Sequence, residues 1–139
     1  MTDADVPRSD LTVSKVLETV VRYYGEDPKG RRSTDTEGNC LYCGPDGKHC
    51  AVALFADLEV RAQLARKEGE PIEDLRGILP DYMADIVVVD GANASDFWRS
   101  VQELHDESVN WDMTNKCLSA QGERKFDQLK QEYDPNLPI

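Results

Sequence analysis

The most regular pattern along the chain is a series of apolar stripes at helical spacing. Val13, Val16, Leu17, Val20, Val21 and Tyr24 recur at steps of three and four, which places them on one helix face. Thr12 stands where an N-cap is needed and Gly25 where the helix can close. The valines are weak helix formers, so packing rather than propensity must hold this element. A second helix is predicted from about Ala51 to Arg66. Val52, Phe55, Leu58, Ala62 and Ala65 share its face, Leu54 and Leu64 broaden it, and Gly69 and Pro71 end it. A shorter helix fits Ile72–Leu79 and stops before Pro80. A third long stripe, Phe97, Trp98, Val101, Leu104 and His105, opens at Ser95 as N-cap and closes near Ser108. The last stripe is Phe126, Leu129 and Tyr133, capped by Ser119, and it cannot continue into Asp134-Pro-Asn-Leu-Pro-Ile139.

The segments between the stripes are of other kinds. Residues 26–39 read as a polar loop. Cys40-Leu-Tyr-Cys43 and Lys48-His-Cys-Ala-Val52 flank Gly44-Pro-Asp-Gly47, where Pro45 fixes φ and Gly47 permits positive φ, so a β-hairpin is predicted. Ile86-Val-Val-Val89 is a β-branched run too short for periodicity to choose between a buried strand and a helix end. Residues 109–118 read as a loop holding Trp111 and Cys117. Residues 1–10 are polar, contain Pro7 and read as a frayed, disordered tail, and 136–139 as a C-terminal tail. The 139 residues fit one domain, over 11–135, that buries a core without staples. The expected class is α+β, predominantly α: four or five helices packed around one small β-hairpin.

Charge narrows the partners. The formal net charge of -11 opposes direct nucleic-acid binding, which draws on lysine and arginine displacing counterions, and leaves basic proteins as natural partners. No apolar run approaches the roughly 20 residues that span a bilayer, and the N-terminus lacks the basic start and apolar stretch of a signal peptide. The expected location is cytoplasmic, where the four cysteines stay reduced.

Three clusters carry candidate chemistry. The first is the cysteine hairpin: Cys40, Cys43, His49 and Cys50 are of zinc-ligand type, with Cys117 or His105 as a distant fourth ligand. A Cys-x-x-Cys-Gly turn directs backbone N–H groups at the metal-bound sulfurs. However, the adjacent His49 and Cys50 point to opposite faces of a strand, which leaves the tetrahedron incomplete. No stoichiometric zinc, and no other cofactor, is expected. The second cluster is the helix bearing Trp98, His105 and Asp106, followed by Trp111. Histidine's intrinsic pKa lies near neutrality, so His105 is a candidate general base oriented by Asp106, with Cys50 as its nucleophile. Neighbours on a helix diverge by about 100°, so the sequence adjacency of His105 and Asp106 does not itself make a pair, and a packing role is expected. The third is Lys29-Gly-Arg-Arg32, whose Lys29, Arg31 and Arg32 are donors for an anionic ligand that Trp98 and Trp111 would flank. The same cations also suit pairing with Glu26, Asp27, Asp35 and Glu37.

Gly-Pro-Asp-Gly-Lys-His-Cys-Ala-Val (44–52), Phe-Trp-Arg-Ser-Val-Gln-Glu-Leu-His-Asp (97–106) with Trp111 beyond it, and Leu-Ser-Ala-Gln-Gly-Glu-Arg (118–124) occur in this order. Together they resemble a family of small, mostly uncharacterised proteins of tailed phages and prophages. That family shows a G-x-x-C-A-V hairpin, an L-x-x-x-H-D helix and a final helix opened by L-[ST]-x-x-G. The resemblance spans about residues 10–135. It implies a phage or prophage origin and an α-rich fold, and it brings no catalytic assignment. It matches Cys50 while Cys40 and Cys43 vary, and it groups Cys50, His105, Asp106 and Trp111 as one constellation. The expected function is a phage-type accessory protein that binds and inhibits or sequesters a host factor, either a defence protein or its small nucleotide signal. The alternatives are a small cysteine-dependent hydrolase using Cys50 and His105, and a zinc-stabilised adaptor.

Overall fold

The structure is a computed structural model that describes residues 1–34, 41–44, 47–70, 72–75 and 77–136, with the backbone alone at Ile72 and Glu73. The helix with no polar face lies at its centre. Ala51–Phe55 (α3) reads Ala-Val-Ala-Leu-Phe, and all five residues are completely buried, as an all-apolar helix requires. Cys50 caps its N-terminus, its Sγ accepting from Ala53 N at 3.4 Å, and Gln102 Oε1 accepts the orphan N–H of Val52 at 3.2 Å.

Around it, in chain order, lie α1 (Val13–Glu26), α2 (Pro28–Arg31), α4 (Leu58–Ala65), α5 (Asp81–Ala84), α6 (Ala94–Asp106) and α7 (Ala120–Tyr133). One antiparallel pair, β1 (Trp111–Asp112) and β2 (Cys117–Leu118), places Trp111 opposite Leu118 and Asp112 opposite Cys117. The fold is therefore α+β and predominantly α. Helix α6 is the hub: it packs on α3, α7, α1, α5 and the 3-10 turn at Ile72–Leu75.

Several elements differ from expectation for identifiable reasons. Helix α1 begins at Thr12, whose side chain accepts from Lys15 N, but runs through Gly25 to Glu26. Gly25 is buried beside Cys117 and Lys116 rather than closing the helix. The helix expected over 51–66 breaks at Ala56-Asp57. Asp57 accepts from Val60 N and starts α4 afresh, while Arg61 donates to Ala53 O and Leu54 O at the end of α3. The break rotates the expected face, so Leu58 is 81% exposed and Ala62 and Ala65 face solvent. Helix α6 is capped by Asn93, not Ser95. Ile86–Val89 is neither strand nor helix; only Ile86 is fully buried, and Val89 N donates to Tyr133 O at 3.1 Å. The paired strands fall in the expected loop 109–118, where Asp112 Oδ1 accepts from Thr114 N and Asn115 N. Residues 41–52 retain one bridge, Cys43 with His49, and Pro45 and Asp46 of the expected turn lie outside the described residues. So does the end of the C-terminal tail, 137–139. The N-terminal segment expected to fray carries a 3-10 turn at Asp3–Asp5 and buries Val6. No helix among the described residues is long and apolar enough to cross a membrane.

Candidate functional site

The four C-terminal carbonyls of α6 are all engaged. Glu103 O accepts from Glu107 N. Leu104 O accepts from Asn110 Nδ2 at 3.2 Å and Trp111 Nε1 at 3.1 Å. His105 O accepts from Arg32 Nε at 2.7 Å and Trp111 Nε1 at 3.3 Å, and Asp106 O accepts from Arg32 Nη2. Helix ends leave these groups orphaned, and a buried orphan costs about 1–3 kcal/mol. The His-Asp…Trp pattern therefore forms a helix cap built from side chains.

His105 completes the cap. Its ring is fully buried and packs edge-on against Tyr24, with centroids 4.6 Å apart. Ser33 N donates to Nε2 at 3.0 Å, so Nε2 carries the lone pair and Nδ1 carries the proton, which it gives to Asp106 Oδ1 at 2.7 Å. Burial pushes the His105 pKa down against the opposing pull of Asp106. The ring is thus held neutral with both nitrogens committed. The neighbours in sequence do pair, but at a helix end where Asp106 can turn back.

The expected basic site is taken apart by the same cap. Arg32, half-buried and with its pKa lowered by burial, is the clamp on α6. Arg31 donates to Tyr23 O at 2.7 Å, lies over the Tyr23 ring at 4.5 Å and faces Glu26 at 3.9 Å. Only Lys29 of the three is exposed to solvent. Trp98 is completely buried with Nε1 donating to Met83 O at 2.8 Å, and Trp111 is 4% exposed, so neither indole faces a ligand.

The two His105 nitrogens are taken by Ser33 N and Asp106, and no hydrogen bond to a thiol is seen among the described residues. Cys50 is completely buried as the cap of α3, which gives the Cys50–His105 hydrolase no open cleft. Cys43 is half-buried, its Sγ donates to Arg61 O at 3.5 Å, and burial, with help from Cys50 and Glu68, raises its pKa. The N–H groups of Tyr42 and Cys43, which a metal-bound turn would aim at sulfur, go to the Glu68 carboxylate, each at 3.0 Å. Cys40 lies outside the described residues, and Cys117 is exposed on β2. Among the described residues no three His, Cys, Asp or Glu side chains converge to hold a metal ion.

A second cluster was not singled out from sequence. Asp3, Arg8, Ala56, Asp57, Leu58 and Arg61 line a cavity of about 300 Å³. Arg61, its side chain only 8% exposed, holds Asp3 through two bonds, Nη1 to Oδ2 at 3.1 Å and Nη2 to Oδ1 at 2.7 Å. Arg8 Nη2 adds a third bond to Oδ1 at 2.8 Å. The hydrogen bond from Arg61 is the main reason that the Asp3 pKa is lowered. Arg61 also donates to Ala53 O and Leu54 O, and Arg8 to Leu54 O at 3.1 Å. The available sequence signal was Arg61's place three residues before buried Leu64, on an otherwise apolar stripe.

No protein-family model, curated protein or solved structure matches this chain.

Proposed function

We propose that the protein works by binding, as a phage-type accessory protein that engages and inhibits a basic host protein through its acidic exterior. The observation that carries this reading is the state of His105: buried, neutral and hydrogen-bonded at both nitrogens, it has no lone pair to offer a substrate proton. Cys50 is closed off in the same way. What the molecule presents to solvent is charge, as at Glu103, Glu107, Glu123, Asp127 and Glu132 along α6 and α7. The protein partner is favoured over the small nucleotide signal because Arg31 and Arg32 are spent on backbone carbonyls. The resemblance of 44–52, 97–106 and 118–124 to phage proteins supplies the biological setting.

The test has two arms. Association with a basic host partner should slow when Glu123→Lys and Asp127→Lys are combined, and the wild-type rate should fall with ionic strength. In parallel, the purified protein is assayed against esters and phosphoesters. Turnover that disappears in Cys50→Ser while the melting temperature holds would replace the binding reading with the hydrolase.

A further inference from the structure

We infer that Asp3 is the resident occupant of an anion cradle made by Arg8 and Arg61, and that a phosphate ester displaces it. The inference goes beyond the protein-binding reading and stands without it. A buried guanidinium needs an anionic partner, because an unpaired charge in a dry site is strongly unfavourable. Arg61 finds that partner in a carboxylate from the N-terminal 3-10 turn rather than from its own helix. The fork of Arg61 meets both Asp3 oxygens side by side, which is the geometry that recognises phosphate as well as carboxylate.

One observation indicates that a carboxylate underfills the cradle. Arg8 Nε is buried with no hydrogen-bond partner, although Nη2 of the same guanidinium is bound to Asp3. A carboxylate brings two acceptor oxygens, whereas a phosphate ester brings three that are free to spread across both guanidinium groups. The cavity beside Asp3 has room for such a group. Leu58, 81% exposed on its rim, offers an apolar shelf for the esterified part. Asp57, also lining the cavity, is an unfavourable neighbour, and its Oδ1 is turned to Val60 N at 2.9 Å. When the ligand enters, Asp3 leaves with its 3-10 turn, and a phosphate monoester, carrying about -1.5 to -2 at pH 7, brings more negative charge to the two guanidinium groups than the carboxylate that it replaces.

The experiment titrates the full chain with inorganic phosphate, phenyl phosphate and acetate, following backbone amides by NMR. Phenyl phosphate should shift amides in 3–8 and 56–61 and bind more tightly than inorganic phosphate. Asp3→Asn, which removes the internal competitor, should tighten binding by about tenfold. Adding Arg8→Gln to that variant should abolish it. If Asp3→Asn is unstable, phosphate should restore its melting temperature more than chloride at equal ionic strength. The inference is overturned if neither phosphate shifts these amides in wild type and Asp3→Asn, or if phosphate gives Asp3→Asn no more protection than chloride. It is also overturned if acetate does as well as phenyl phosphate, or if Lys29→Ala/Arg31→Ala, and not Arg8→Gln, removes binding.

Discussion

Helices α3 and α6 both end on carbonyls that an arginine from elsewhere in the chain takes up, and they differ in what is left over. At the end of α6, Arg32, Trp111, Asn110, Ser33 and Asp106 pair every polar atom around a fully buried His105. At the end of α3, Arg61 serves Ala53 O, both Arg61 and Arg8 serve Leu54 O, and Arg8 Nε is left without an acceptor, beside a cavity and a partly exposed carboxylate. Both ends carry an arginine and an aspartate, so residue type alone does not separate structure from site. The accounting of donors and acceptors does: a closed network rigidifies the fold, and one with donors left over has capacity for a ligand.

The contrast can be broken most directly at Gly122. It lies under the closed end, where an added Cβ would stand 2.8 Å from Leu118 Cδ2 and 2.9 Å from the carbonyl carbon of Asn110. Gly122→Ala should cost about 3 kcal/mol or prevent folding, because backbone cannot give way as a side chain does. A urea midpoint within error of wild type would show that the α6 cap is looser than described. Trp98→Ala should cost about 3–5 kcal/mol, since the indole is completely buried; a loss below about 1 kcal/mol with the urea slope unchanged would place the ring at the surface.

His105→Gln should cost about 1–3 kcal/mol by leaving Ser33 N or Asp106 poorly paired, with any functional loss tracking stability. Loss of activity at an unchanged melting temperature would make the closed end a site after all. The same residue predicts a pH dependence. The folded-state pKa of His105 lies below its ordinary value of 6.5, so below that value the unfolded chain binds a proton that the folded one refuses. Stability should be fully present above about pH 6.5 and fall as pH drops toward the depressed pKa, by at most about 1.4 kcal/mol per pH unit. His105→Gln should flatten that slope. His49, also lowered by burial, contributes in the same direction. The smallest effect is expected at the open end, where Arg8→Gln should cost less than about 1 kcal/mol because the Arg8 and Asp3 side chains are partly solvated. A larger loss would make Arg8 a structural clamp like Arg32.

How far the sequence could be read depends on whether a feature was local. Thr12 and Ser119 were legible as caps because a hydroxyl oxygen that accepts from the N–H three residues on is a matter of one turn. The L-S-x-x-G segment likewise explains itself: Ser119 Oγ accepts from Gly122 N at 3.0 Å, and that glycine has no side chain because Asn110 packs against it. The break at Ala56-Asp57 was not legible, since it is held open by Arg61 and by Tyr82, whose hydroxyl donates to Phe55 O at 2.7 Å, 27 residues along the chain.

By itself, then, the sequence determined the mainly helical class, the stripes of α1, α6 and α7, and a packing role for His105, because apolar periodicity and capping act over one or two turns. Only the tertiary structure decided what each arginine does. Arg31 and Arg32 look like a ligand site in sequence and are absorbed by carbonyls, while Arg8 and Arg61, unremarked and 53 residues apart, meet at a cavity. A guanidinium's role follows from the acceptors within its reach, and those are brought there by distant parts of the chain.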